Sequence, residues 1–314
     1  MKFLVSEEDI AKHYAGDGIG RYQSFSGYQA LGEYKQLSAR IDQKIRQEFA
    51  TIFDASPWTV ERWCSGNRGS APRCVQGVEF LKKRRLVPLR TDSETLGLVT
   101  YLAGLNWHAG SISIPKSGQP AYVPEFKIAM PLHLDEIAQA LNLKFRHSEK
   151  YKRYTLESYI TLLLAELGLP TNGTKNRFER AYPRFIDVLL QEHLDDHVAL
   201  FLGTQVLTKA EAKDTARYLV YNTPKCDEAM ARRTSAHVYE LYQRVFPGVR
   251  IAPPVQVPNQ RRGPNATALQ LETADYGDIV KQTHDCVMRN LAQFMPVEKF
   301  PLRAEHQLKE LPAS

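Results

Sequence analysis

The sequence predicts an α+β fold in which a body with internal pseudo-twofold symmetry follows an all-α module that contains a helix-turn-helix. Three observations indicate this. Basic charge is concentrated in residues 35–90, a helix with small side chains runs directly into a strand near Gly110, and one order of elements occurs twice after Thr91. The predicted units are the module at 1–90, the first half at 91–190, the second half at 191–296 and a tail at 297–314.

The composition is that of an ordinary globular protein. The chain has 314 residues, of which 43% are hydrophobic and 24% charged, and it has room for two or three domains. No run of about 18 apolar residues occurs, so we expect no transmembrane helix. The four cysteines form no CxxC pair, which is typical of reduced thiols in a cytoplasmic protein.

The positive charge is local. The formal net charge is +6 and the isoelectric point is about 9.0. Residues 35–90 hold 12 Lys and Arg against 5 Asp and Glu, so this segment contains the basic surplus and the remainder is close to neutral. A concentrated basic segment favours a polyanionic partner.

The basic segment has the pattern of a helix-turn-helix. Residues 37–53 place apolar side chains at intervals of four and predict a first helix. Ser56 as N-cap and Pro57 at the first helical position begin a second helix, which ends near Gly66. In this motif the second helix enters the major groove. A third helix is predicted from Arg73 onward.

Within this module we expect Val60 and Trp63 to face the core, while Trp58 could face either way. The predicted DNA contacts of the module are Thr59, Arg62, Asn67, Arg68, Arg73, Lys82, Lys83, Arg84 and Arg85. The alternative is a three-helix bundle with a solvated basic face, or a module that docks another protein.

The first half of the body begins with a helix. Thr91 and Glu94 are spaced as a capping box, and Gly97, Thr100 and Gly104 form a stripe of small side chains that lets another helix approach closely. Two strands and a strongly apolar helix follow.

The second half repeats this order. Asp195 and Asp196 lie at a helix start, where carboxylates suit the helix dipole, and Ala199 and Gly203 provide a small face. Further strands and helices follow up to Phe294. We therefore predict two αββα-type halves joined by a close-packed pair of helices.

The segment LAGLNWHAG, residues 102–110, resembles the signature of the LAGLIDADG homing endonucleases. Residues 167–186 and 197–203 resemble the connection between the halves of those proteins and the start of their second signature helix. Residues 58–90 resemble the helix-turn-helix that precedes the domain in some archaeal relatives. The resemblance extends over about residues 40–290.

The resemblance implies that each central helix delivers an acid to a shared site for divalent cations, usually Mg²⁺. Carried over by position, these acids fall at Ala109 and Thr208, and neither residue has a carboxylate. Asn106 and His108 lie close by, but an amide and an imidazole are poor replacements on Mg²⁺. We therefore predict no catalytic residue, no metal and no cofactor.

In such proteins the strands form a saddle over DNA. The contacts predicted for this surface are Lys116, Lys127, Arg217, Arg250, Arg261 and Arg262. The last two lie in a basic segment, residues 258–265, for which a solvated turn is the alternative.

The sequence thus predicts a monomeric, sequence-specific protein that binds double-stranded DNA, a catalytically inactive relative of homing endonucleases. We expect it to act in the cytoplasm, at the nucleoid, as a transcription regulator or genome-associated factor. The alternatives are an active metal-dependent DNA endonuclease with displaced acids, a maturase-like RNA-binding protein, and a body that docks other proteins while only the first module contacts DNA.

Overall fold

The computed structural model describes residues 1–13, 47, 50, 56–64, 73–113, 123–126, 133–151, 153–171, 182–209, 211–213, 216–221, 228–256 and 267–294. Within these ranges the protein combines helices with small antiparallel sheets, which confirms the predicted α+β class. No helix in the same ranges is long and apolar enough to cross a membrane.

The amino-terminal part forms two short strands and three helices. They are β1 (Phe3–Val5), α1 (Glu7–Ala11), α2 (Pro57–Cys64), α3 (Arg73–Lys83) and β2 (Leu89–Arg90). β1 pairs antiparallel with β2, and α1 packs against α3. The predicted first helix at 37–53, apart from Gln47 and Ala50, and the chain between α2 and α3 lie outside the described residues.

The first half of the body forms a four-stranded sheet with helices before, between and after its strand pairs. Its elements are α4 (Leu96–Ala109), β3 (Gly110–Ser113), β4 (Val123–Phe126), α5 (Leu134–Ala140), β5 (Arg146–Ser148), β6 (Arg153–Thr155) and α6 (Ser158–Glu166). The strand order is β3-β4-β6-β5, and all pairs are antiparallel. A short helix, α7 (Phe185–Gln191), then leads to the second half.

The second half has the same order of elements. They are α8 (Asp195–Lys209), β7 (Glu211–Lys213), β8 (Ala216–Tyr221), α9 (Glu228–Val245), β9 (Ile251–Gln256), β10 (Thr267–Glu272) and α10 (Thr273–Leu291). Its strand order, β7-β8-β10-β9, corresponds position by position to that of the first sheet. The predicted αββα description of each half is wrong, because each half holds two pairs of strands with a helix between them.

The two central helices, α4 and α8, pack so closely that their main chains are nearly in contact. All of α4 is buried except His108, which is half-buried. A Cβ placed on Gly104 would lie 2.6 Å from the Thr204 hydroxyl oxygen and 2.9 Å from the main-chain oxygen of Phe201. Only glycine therefore permits this helix crossing without a shift of α8.

A third helix, α10, packs beside the central pair. Gly97 of α4 faces Asn290, and Gly203 of α8 faces Thr283, at distances that leave no room for a Cβ. The small residues predicted as one stripe therefore serve two partner helices, since Gly104 meets α8 and Gly97 meets α10.

The predicted capping box at the start of α4 is wrong. Thr91 instead exchanges hydrogen bonds with the main chain of Lys2, its amide donating to the Lys2 oxygen and its hydroxyl oxygen accepting from the Lys2 amide, both at 3.0 Å. Glu94 forms an ion pair with Arg85. The helix begins later, at Leu96, because these contacts hold the preceding turn against the amino-terminal strand.

Arg84 joins α3 to the first half. Its guanidinium donates to the main-chain oxygens of Leu141 at 2.7 Å, Asn142 at 2.6 Å and Phe80 at 3.0 Å, and it lies over the Phe80 ring. The first two oxygens follow the last turn of α5, where helical carbonyls lack helical partners. Burial lowers the pKa of Arg84 from its ordinary value, although Glu157 opposes this effect.

We expect Arg84→Ala to lower the free energy of unfolding by about 1–3 kcal/mol, because it leaves these carbonyl oxygens without their charged donor. The measurement is chemical denaturation of the full chain. Lys83→Ala is the matched control, since Lys83 is exposed on the same turn; an equal loss in both variants would contradict the anchoring role of Arg84.

The amino-terminal segment is also held by ion pairs. Lys12 contacts the Glu166 carboxylate at 2.7 Å, and His13 hydrogen-bonds to the same group. Met1 and Lys2 contact Glu192, just beyond α7. Burial alone would raise the pKa of Glu166, but the hydrogen bonds from His13 and Lys12 outweigh it and hold that pKa below its usual value.

Because the pKa of Glu166 is lowered in the folded protein, the stabilisation from its contacts with Lys12 and His13 depends on pH. It is fully present above the unfolded-state pKa of Glu166 and is lost as the pH falls through the lower folded-state pKa. We expect Glu166→Gln to destabilise the protein near pH ~7 and to differ less and less from the original chain as the pH falls through the folded-state pKa, measured by thermal unfolding at several pH values. A constant difference between the two chains across that range would contradict this linkage.

Candidate nucleic-acid interface

The central helices end at the positions where the signature acids were expected. Ala109 is the last residue of α4, and Gly110 begins β3 directly after it. Thr208 is the penultimate residue of α8, and β7 begins at Glu211. Each helix therefore leads into the first strand of its sheet, and neither residue carries a carboxylate.

Hydrogen bonds tie the ends of these helices together. The Thr204 hydroxyl donates its only proton to the Phe201 main-chain oxygen at 2.6 Å. His108 Nδ1 lies 2.7 Å from the same hydroxyl oxygen, so Nδ1 must be the donor of that bond. The imidazole also packs on the Phe201 ring. His108 thus bridges the two helices, and the Thr208 hydroxyl donates back to the Thr204 main-chain oxygen.

The nearest acids of α8 are at its other end. Asp195 contacts Arg244 at 2.8 Å, and Asp196 contacts Arg289 at 3.1 Å. These carboxylates are ~18 Å or more from Thr208 along the helix axis, at the rise of an α-helix. Among the described residues, no group of three His, Cys, Asp or Glu side chains could hold a metal ion.

The first sheet has one covered and one outer face. Phe126 and Tyr154 are register partners and both are buried, so their face is the one that packs on the helices. Side chains alternate along a strand, and residues 146, 148, 153 and 155 therefore occupy the opposite face. We call these four residues, Arg146, Ser148, Arg153 and Thr155, the outer face of the first sheet.

Sequence reasoning missed this basic hairpin. Residues 144–153 hold five Lys and Arg against one Glu, a signal that was present in the sequence. β5 and β6 have three residues each, so they are too short to give a clear alternation of apolar and polar side chains. Because these strands were not predicted, the basic residues could not be assigned to one face of a sheet.

Four predicted contacts of the amino-terminal module remain on the surface. Thr59 is half-exposed on α2, where its amide donates to the Ser56 hydroxyl that caps the helix, and Arg62 lies one turn further on. Val60 is buried, as predicted. Lys83 and Arg85 are exposed at the end of α3, and the exposed pair of Arg85 with Glu94 is of a kind that contributes little.

Three other predicted contacts have structural partners. Arg84 is bound to main-chain oxygens as described above. Arg250 donates its main-chain N–H and two N–H groups of its guanidinium to the Asp275 carboxylate, and the Arg250 side-chain hydrogen bonds lower the pKa of Asp275. Lys82 forms an ion pair with Glu7 at 3.0 Å. Main-chain oxygens compensate the charge of Arg84, and mostly buried carboxylates, those of Glu7 and Asp275, compensate the other two, so these three residues do not belong to the interface.

The remaining predicted contacts are not described at the level of side chains. Arg73 and Arg217 are placed only as helix and strand positions, and Arg217 pairs in register with Leu271. The others lie outside the described residues: Asn67, Arg68, Lys116, Lys127, Arg261 and Arg262.

A scan against protein-family models and a search of curated proteins each found no match. A search of solved structures found similarity to I-DmoI, a variant of which is in complex with its target DNA in the presence of Mn. The two chains are 12% identical over 60% of this chain and 94% of that one, with a TM-score of 0.38.

Proposed function

We propose that this protein binds double-stranded DNA and does not cleave it. It would combine a helix-turn-helix module with a pseudo-twofold LAGLIDADG-like body, and it would act as a monomeric transcription regulator or genome-associated factor. One observation carries the proposal. The two central helices pack so closely that only glycine fits at position 104, and at their carboxyl ends they have Ala109 and Thr208 where metal-dependent cleavage would need acids.

The body supports binding through its two sheets. Each central helix leads into a four-stranded antiparallel sheet of the same strand order, so two equivalent surfaces are presented in one chain. The outer face of the first sheet carries Arg146 and Arg153. Guanidinium groups on such a surface contact phosphates, which fixes the position of a duplex without reading its sequence.

The amino-terminal module would supply sequence recognition. Thr59 and Arg62 lie on α2 away from buried Val60, and a helix presented in this way contacts base edges in the major groove. Lys83 and Arg85 at the end of α3 are exposed for phosphate contacts. Arg84 fixes α3 on the body, which would hold the two DNA-contacting regions in a constant relative position.

The helix ends account for the proposed lack of cleavage. Hydrolysis with Mg²⁺ requires oxygen ligands that hold the ion against the scissile phosphate, and carboxylates usually provide them. Ala109 has no such group, and the Thr208 hydroxyl is hydrogen-bonded within its own helix. An active enzyme would therefore need acids from other positions.

Binding measurements with Arg62→Ala test the role of the module. We expect this variant to lose about 5- to 100-fold in affinity for a selected duplex, the range of a lost base contact. Arg233→Ala, an exposed arginine on α9, is the control and should bind as the original chain does. Equal affinity of all three chains would rule out recognition through α2, and tighter binding of structured RNA at equal salt would favour the maturase-like alternative.

A further inference from the structure

Trp58 is an exposed tryptophan on α2. The residue is 64% exposed, whereas Val60, two residues later, is fully buried. Two residues correspond to a rotation of about 200° around a helix, so Trp58 lies on the side opposite the core. Arg62 is four residues further along and shares this side.

One face of the indole ring is occupied. The Arg62 guanidinium carbon lies 4.6 Å from the centre of the Trp58 ring, within the range of a cation–π contact. Trp58 is 64% exposed despite this contact, so much of the ring remains open to solvent. The pair thus forms a flat aromatic surface with a positive charge behind it.

The pair belongs to a basic segment of the chain. Residues 56–90 hold eight Lys and Arg against two Asp and Glu. An aromatic ring beside a guanidinium, on a helix of a basic segment, matches an unpaired nucleobase, which offers a π face and an attached phosphate. A protein hot spot also uses Trp and Arg, but it does not require this excess of positive charge.

We infer that the Trp58–Arg62 pair stacks on an unpaired DNA base, either in a single strand or extruded from the duplex. This inference rests on the proposed DNA-binding function and adds its substrate class: DNA with at least one unpaired base next to the contacted helix. Trp58 supplies the stacking surface, and Arg62 holds the ring in place and attracts the neighbouring phosphate.

The test compares three fluorescein-labelled DNAs by anisotropy at constant salt: a mixed-sequence single strand, its duplex, and the same duplex with one bulged base. We expect Trp58→Ala to weaken binding of the single strand and the bulged duplex about 5- to 100-fold, the range for one lost stacking contact. The same variant should lose less affinity for the perfect duplex than for the other two DNAs, since the perfect duplex offers no unpaired base to the ring. Trp58→Phe should retain part of the affinity.

Phe3→Ala is the matched control. Phe3 is 63% exposed and has the Arg90 guanidinium over its ring, but it belongs to β1 and is not part of α2. This variant should bind all three DNAs as the original chain does. Quenching of tryptophan emission by the single strand should be present in the original chain and reduced in Trp58→Phe.

The outcomes separate this inference from the proposed function. Equal losses of Trp58→Ala on all three DNAs, or no loss on any, would overturn base stacking even if the duplex binds well. Weak binding of the original chain to every DNA would overturn the DNA-binding function itself. A preference for the corresponding RNA strand that disappears in Trp58→Ala would overturn the assignment to DNA.

Discussion

Replacement of Gly104 by Ala is expected to disrupt the contact of the two central helices. The new methyl group would meet the Thr204 hydroxyl and, at 2.9 Å, the main-chain oxygen of Phe201. Overpacking costs about 1–3 kcal/mol, and a contact with main chain belongs to the upper part of this range, above the ~1 kcal/mol that Ala gains over Gly inside a helix. We expect a lower unfolding free energy and, because the helices position both sheets, weaker DNA binding.

Gly203 provides a matched comparison. The three atoms nearest to a Cβ at Gly203 all belong to the Thr283 side chain, whereas those nearest to a Cβ at Gly104 include the main-chain oxygen of Phe201. Thr283→Ala should therefore recover much of the stability lost in Gly203→Ala, while Thr204→Ala should recover less of the loss in Gly104→Ala. A double-mutant cycle by chemical denaturation measures both recoveries. Full recovery at Gly104 would contradict the backbone contact.

Removal of both arginines from the outer face of the first sheet is expected to weaken DNA binding strongly. If Arg146 and Arg153 each contact a phosphate, their double replacement by Ala should make the negative slope of log affinity against log salt shallower by about 2. At ~0.1 M salt this corresponds to about a 10- to 100-fold loss in affinity. Fluorescence anisotropy with a duplex at several salt concentrations gives both values.

The control is a double variant with the same change in charge, on a helix that packs on the second sheet. Arg232 and Arg233 are exposed on α9, the helix that packs on the second sheet. Their double replacement should leave the salt slope almost unchanged. If both double variants lost affinity equally, binding would depend on net charge, and the outer face of the first sheet would have no special role.

The sequence predicted the central features of the fold because they have strong local signals. Gly104 followed by a strand at Gly110 indicated a helix that packs tightly and ends abruptly, and the structure has both. β5 and β6 were missed because three-residue strands have no readable period. The start of α4 was misplaced because Thr91 forms its hydrogen bonds with Lys2, which is distant in sequence.

The candidate site was less predictable than the fold. From residue type alone, Arg84, Arg250 and Arg62 were equally good candidates for DNA contacts. In the structure, Arg84 and Arg250 bind groups within the protein instead. Which partner an arginine meets depends on tertiary packing, since Leu141 and Asp275 are far from them along the chain. Trp58 could not be assigned to either side of α2 from the pattern, and its exposure followed only from the packing of Val60.

The most direct test of the central claim is a selection with a pool of random-sequence DNA duplexes, in the presence of Mg²⁺ or Mn²⁺ and, in parallel, of a chelator. Sequencing of the bound duplexes and of any cut ends reports binding and cleavage together. We predict that one duplex motif is enriched among the bound molecules and that no cut ends appear above the chelator control. Specific cut ends that depend on the metal would contradict the absence of cleavage, and a bound pool without an enriched motif would contradict sequence-specific binding.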